Sequence, residues 1–167
     1  MSGEVQPIRW RGDRLELLDQ RLLPEKTEYV ACRSAEEVAQ AIRDMVVRGA
    51  PAIGVAAAMG VALGALKAPA KTFDRDFERI LLVLGKTRPT AVNLFWALGR
   101  MRQVYSENRS GGVDLVKRAL KDEAQKIYKE DIAANKQIGK NGRVSFTKTS
   151  NSLPDSLSAR ITPSAVP

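Results

Sequence analysis

Seventeen consecutive residues, Ala50 to Leu66, carry neither a charge nor a polar side chain. At helical pitch such a run is apolar on every side, so a helix made from it must be surrounded. Its length lies at the lower limit for a membrane span. Its alanines and glycines make it only mildly hydrophobic, and Arg48 and Lys67 flank it. The reading is a helix buried in a protein core. Pro51 suits its first turn, where the missing N–H has no partner to lose. Gly54, Gly60 and Gly64 let neighbouring elements come close, each at a helix-propensity cost of about 1 kcal/mol relative to alanine.

The cover for that helix has to come from the rest of 167 residues, enough for one domain with a real core. Upstream, Ile8-Arg9-Trp10 and Leu15-Glu16-Leu17 alternate apolar and polar positions around Arg11-Gly12-Asp13, which predicts a β-hairpin. Glu28 to Cys32 reads as a third short strand. Ser34 followed by Glu37 is a capping-box signature. Val38, Ile42, Met45 and Val46 then form an apolar helical face that Arg48-Gly49 should end. Downstream, Phe73, Phe77, Ile80, Leu81 and Leu84 mark a third helix stopping at Gly85. A fourth helix follows through Val92, Phe95, Trp96, Leu98 and Met101. A fifth runs from Val113 to about Ile138, with Val116, Leu120, Ala124, Ile127 and Tyr128 inward.

The expected fold class is therefore α+β. A small β region covers residues 1–33, and a helical bundle of about five helices covers 34–142. Residues 143–167 form a tail of different character. From Ser145 to Pro167, twelve of 23 residues are serine, threonine or proline. Such a stretch buries too little apolar surface to offset its ordering entropy, and disorder is expected.

The formal charge is +8 and the pI about 9.9. The charge is dispersed: residues 140–167 contribute +3 and the rest +5. No Lys/Arg run alternates with aromatics, so a solvated basic surface is preferred to nucleic-acid binding. Attraction to a small phosphorylated substrate also fits. One cysteine, Cys32, and no histidine rule out an internal disulfide, an imidazole–thiolate metal site and a histidine general base. The lone thiol, without a histidine to activate it, reads as buried packing, and it suits a reducing cytosol. No apolar signal core begins the chain. Trp10 and Trp96 read as core or hinge residues.

Two loops are candidates for chemistry. In Arg48-Gly49-Ala50-Pro51-Ala52-Ile53-Gly54 a guanidinium precedes a helix whose first N–H groups are free and whose small residues leave room. A helix start attracts anions, and arginine binds them with two prongs. On local pattern alone, the plainer description of the same residues is one helix ending at glycine and another opening with proline. In Thr87-Arg88-Pro89-Thr90-Ala91-Val92-Asn93-Leu94, Arg88 is biased to extended backbone by Pro89 and Thr90 can cap the next helix. Arg88 reads either as a second cationic hand on a ligand or as an exposed arginine in a turn.

These loops, with Ile8-Arg9-Trp10, Leu17-Leu18-Asp19-Gln20-Arg21-Leu22-Leu23-Pro24 and Glu130-Asp131-Ile132-Ala133-Ala134-Asn135, resemble the amino-terminal half of the S-methyl-5-thioribose 1-phosphate isomerases. The likeness runs from about Ile8 to Gly142. The two loops occur less completely in ribose 1,5-bisphosphate isomerases and in regulatory subunits of translation initiation factor 2B. The opening stretch favours the methylthioribose family.

The resemblance implies an aldose–ketose isomerase, an intramolecular oxidoreductase of methionine salvage. It would turn methylthioribose 1-phosphate into methylthioribulose 1-phosphate, in the cytoplasm and without metal or organic cofactor. It implies substrate binding by Arg48, Gly49, Ala50 and Arg88. The family's acid/base cysteine and aspartate belong to a Rossmann-like second domain. Neither Cys32 nor any aspartate here matches them, so no catalytic residue is expected in this chain. The family is homodimeric; whether this shorter chain pairs stays open. Family pattern and helical period both fade after Gly142, which is read as a frameshifted or prematurely ended product, inactive alone. If the missing domain normally covers the helix from Pro51 to Leu66, that helix should be partly exposed here. The alternative readings are a non-catalytic binding or regulatory module like the translation-factor subunits, or a fragment of a ribose 1,5-bisphosphate isomerase.

Overall fold

The computed structural model describes residues 5–150, with side chains through Ile138. Three short antiparallel strands come first: β1 (Ile8–Trp10), β2 (Leu15–Leu18) and β3 (Tyr29–Cys32), in the order β1-β2-β3. Ile8 pairs with Leu17 and Trp10 with Leu15 across the hairpin, and Leu15 pairs with Cys32 on the other side. Period-two alternation puts Ile8, Leu15 and Leu17 on the buried face. The turn between β1 and β2 needs a left-handed residue, and Gly12 supplies it at φ +84°.

Five helices follow: α1 (Ala35–Arg43), α2 (Ala50–Lys67), α3 (Phe73–Gly85), α4 (Val92–Asn108) and α5 (Val113–Ser150). The α+β expectation holds in both number and order. Ser34 accepts the Glu37 N–H at 3.2 Å, while the Glu37 carboxylate reaches back to the Arg33 N–H at 2.6 Å. The capping box is thus displaced by one residue on its return arm.

α1 stops at Arg43, well before the expected Arg48-Gly49. The Val46 N–H turns back to the Ala41 carbonyl and the Met45 N–H to that of Ile42. That is a Schellman ending, and Met45 holds the left-handed position at φ 60°, where glycine is usual. Periodicity could not show this, because Val46 is buried from the following loop rather than from the helix. Met45 itself is exposed.

α2 is the centre of the bundle. From Ile53 to Leu63 every residue is buried. The helix is long and apolar enough to cross a membrane, yet 67% of it is covered by the rest of the protein. The exposure expected of it is confined to its ends, with Ala50, Pro51 and Lys67 exposed, and α1, α3, α4 and the sheet cover it from Ile53 to Leu63 within this chain. Its glycines explain how. A Cβ on Gly60 would sit 3.0 Å from Val38, and one on Gly64 would sit 2.7 Å from Ile80 and 3.0 Å from Ala35. Phe73, Phe77 and Tyr105 stack beside this core, with Phe77 and Tyr105 centroids 4.2 Å apart.

The chain divides into a compact unit through Asp131 and a segment from Ile132 onward. In the first unit, α5 buries Val116, Leu120, Ala124 and Ile127, as its spacing predicts, and Tyr128 is half-buried. In the second, α5 continues past Ile138 to Ser150, so the first residues of the expected tail are helical. No proline stands between Val113 and Ser150 to break the hydrogen-bond ladder. The remainder of the tail, 151–167, lies outside the described residues.

Candidate phosphate-binding site

The starts of α2 and α4 meet. Gly54 lies one turn into α2, and a Cβ built on it would be 2.8 Å from the backbone oxygen of Asn93, in the first turn of α4. Only a residue without a side chain permits that approach. The contact brings together the helix starts that the two candidate loops lead into: Arg48-Gly49-Ala50 enters α2, and Arg88 to Ala91 enters α4.

Charge distinguishes these two starts from the other long helices. α1 carries Glu36 and Glu37 in its first turn, α3 carries Asp74 and Asp76, and α5 carries Asp114. α2 and α4 carry no acid there, and neither has a side-chain cap. The expected Thr90 cap is absent. Ala91 occupies the N-cap position with extended backbone, so Thr90 lies one residue outside. The N–H groups of Ala50, Ala52, Val92 and Asn93 precede the first helical hydrogen bonds, which begin with Ile53 N–H to Gly49 O and Leu94 N–H to Ala91 O. Neither positive helix end is therefore neutralised by an acid or a side-chain cap of its own. The opposite end of α2 is treated differently. There Lys117 donates to the Leu66 and Ala68 carbonyls at 3.2 and 2.7 Å, meeting the negative end with a cation.

Each predicted residue can now be located. Gly49 is the N-cap of α2 at φ +92°, a left-handed value that favours glycine. Ala50 is the first helical residue, and both are exposed. Arg48 is exposed, and its Nη2 donates to the Gln20 carbonyl at 2.8 Å. Arg88 is half-buried, and its guanidinium has no hydrogen-bond partner among the described residues. Both guanidinia keep donors free for an anion.

Local pattern missed the segment Asp19-Gln20-Arg21. Asp19 is 4% exposed and takes Arg21 Nε and Nη2 at 2.8 and 2.6 Å. The Arg21 guanidinium holds the Asp19 carboxyl below the usual carboxylate range. The only signal in the sequence was that these residues belong to a family-like stretch. Nothing local announces that the Gln20 carbonyl reaches an arginine 28 positions later.

Other candidates fall away. Cys32 is buried, and desolvation, aided by the charge of Glu37, pushes its thiol to about 11. It is a packing residue, as its lack of an activating base implies. Trp10 packs against the core, but Trp96 is 53% exposed and is not a core residue. Among the described residues, no three histidine, cysteine or acidic side chains gather as a metal-ligand group.

The fold is a helical domain preceded by a small antiparallel sheet, with the first turns of α2 and α4 in contact. The sequence model of the Initiation factor 2 subunit family matches residues 46–158, and the chain belongs to that family. It is 50% identical over 138 residues to the methylthioribose-1-phosphate isomerase of Geobacter metallireducens, covering 81% of this chain and 40% of that protein. It is 49% identical over 142 residues to the enzyme of that name from Thermotoga maritima, with 85% and 41% covered. The crystal structure of 5-methylthioribose 1-phosphate isomerase from Pyrococcus horikoshii superposes with a TM-score of 0.73 at 40% identity, over 76% of this chain and 36% of that one. The delta subunit of translation initiation factor eIF-2B from A. fulgidus gives 0.71 at 37% identity, over 77% and 38%. The chain thus spans about 40% of the length of the curated relatives it matches.

Proposed function

We propose that this chain forms the phosphate-holding part of a cytosolic methylthioribose 1-phosphate isomerase, and that it does not turn over substrate alone. Arg48 and the free N–H groups behind Gly49 and Ala50 hold one side of the phosphate, and Arg88 holds the other. The observation that carries this reading is the meeting of two uncapped, acid-free helix starts, each led by an arginine. Aldose–ketose isomerisation also needs a group that moves a proton at the sugar carbons. In this reading that group belongs to the part of the relatives' length that this chain does not span.

The test combines turnover and binding. Purified chain mixed with methylthioribose 1-phosphate should give no ketose product. It should bind inorganic phosphate, and Arg48→Met or Arg88→Met should each weaken that binding by about tenfold, the loss typical of one charge-assisted contact. Product formed by the chain alone, or phosphate affinity indifferent to both changes, contradicts the proposal.

The near-equal likeness to the eIF-2B delta subunit favours a second reading, a non-catalytic regulatory module. In that case a protein partner would be captured with equal affinity by the wild type and by the Arg48→Met variant.

A further inference from the structure

The geometry points to Asp19 and Arg21 as positioning residues that hold Arg48 ready for an anion. The inference rests on the phosphate-binding reading of Arg48, and it concerns how that arginine is prepared.

The arrangement is a strap between the sheet and the loop before α2. Asp19 is almost fully buried, and its backbone N–H donates to the Glu28 carbonyl at 2.9 Å. Its Oδ1 accepts the Arg21 backbone N–H at 3.1 Å, which closes an Asx-turn around Gln20. Its two carboxylate oxygens also take Arg21 Nε and Nη2. A bidentate pair of this kind fixes orientation as well as charge. Gln20, at the middle of the turn, is held from both sides. Its N–H donates to the Val46 carbonyl at 3.0 Å, and its carbonyl receives Arg48 Nη2 at 2.8 Å.

Arg48 would otherwise be a long, solvated side chain with many rotamers. The Gln20 carbonyl uses one of its five N–H donors and leaves the others for a ligand. An arginine already held loses less freedom on binding, which is the gain that preorganisation provides. Arg21 is 47% exposed at its side chain while that of Asp19 is 6% exposed, so the pair sits at the edge of the core. Its consequence is local: it fixes the turn whose carbonyl holds Arg48.

The experiment uses the whole chain and two readouts, with inorganic phosphate as the probe. The first readout is the NMR order of the Arg48 Nε–H group. The second is phosphate affinity by titration. Asp19→Asn should loosen the Arg48 signal and weaken phosphate binding about threefold to tenfold, the range expected for releasing one rotamer-rich side chain. In an Arg48→Met background, Asp19→Asn should change phosphate affinity no further. A merely structural Asp19 would still weaken the site there, through Arg88 and the helix ends. Should Asp19→Asn fail to fold, Arg21→Gln, at a half-exposed position, should give the same pair of effects. Unchanged Arg48 order and unchanged affinity in a folded variant overturn the inference. So does a loss of affinity that persists without Arg48. If wild type binds no phosphate while Arg48 order still depends on Asp19, the strap stands and the phosphate reading of the site falls.

Discussion

α2 and α4 begin side by side and end up in opposite environments. α2 is apolar on all sides and, from Ile53 to Leu63, is buried by its own chain. α4 buries Leu94, Ala97, Leu98 and Met101 but leaves Val92, Phe95 and Trp96 at 78%, 48% and 53% exposure. The apolar groove beside them, lined by Leu81, Leu82, Gly85, Phe95, Leu98 and Gly99, opens to solvent between α3 and α4. Hydrophobicity alone therefore did not decide burial. α2 could be enclosed because its glycines let Val38, Ile80 and Asn93 reach its backbone. α4 has one such face, and its other face carries large side chains that nothing described covers. Stability should accordingly reside in α2, while ligand and partner chemistry should reside near the start of α4.

The largest effect that could break this contrast is in the core. Leu63→Ala should cost about 3 kcal/mol by denaturant unfolding, within the usual range for a fully buried leucine. Trp96→Ala on α4 should cost less than about 1 kcal/mol, since among the described residues its ring contact is with Arg100, 5.4 Å from the ring centroid. Equal losses at the two positions would erase the distinction.

The next effect is at the contact between the helices. Gly54→Ala gains about 1 kcal/mol of helix propensity. It also forces a methyl toward the Asn93 carbonyl, and overpacking of that kind costs about 1–3 kcal/mol. A net loss of stability is expected, together with weaker phosphate binding as the helix starts separate. A variant more stable than wild type, with unchanged binding, would show that the close approach carries no functional weight.

Acid should separate the two helices more gently. Arg100 on α4 is tied to Glu123 and Glu130 of α5, the latter at 2.6 Å. The hydrogen bond from Arg100 holds the Glu130 carboxyl below its ordinary 4.5. A depressed carboxylate stabilises the fold above its unfolded value and loses that contribution as pH falls through its folded value. Below pH 4.5, hydrogen exchange in α4 and the facing part of α5 should therefore quicken before exchange in α2. Glu130 is half exposed, so the change should be under about 1 kcal/mol. Glu130→Gln should reduce this pH dependence, and faster exchange beginning in α2 would contradict it.

The smallest effect on stability is expected from Phe95→Lys with Trp96→Lys, within about 0.5 kcal/mol of wild type. The same change should raise solubility, because it breaks up an exposed apolar face. Unaltered solubility would mean that this face does not limit how the chain behaves in solution.

The contrast also shows how far the sequence could be read. The all-apolar run marked α2 as buried, and the glycines at 54, 60 and 64 marked its close neighbours, because both follow from local composition. The end of α1 was not legible: Met45 takes a left-handed turn usually given to glycine, and Val46 keeps the apolar spacing after the helix has stopped. Trp96 looked like core because aromatic residues at helical spacing generally are; whether a partner element covers them is a tertiary fact. Both candidate loops were visible, as an arginine before a helix start. Their convergence was not, since it depends on Gly54 meeting Asn93. The turn at Asp19-Gln20-Arg21 was invisible as a site component, because it acts through a backbone carbonyl that any residue possesses.

The most direct test of the shared corner is a backbone-amide NMR titration of the chain with methylthioribose 1-phosphate. The amides of Ala50 and Ala52 on α2 and of Val92 and Asn93 on α4 should shift together and saturate at one ligand concentration. Shifts confined to one of the two helix starts, or centred instead on the groove between α3 and α4, would contradict a single phosphate site built from both.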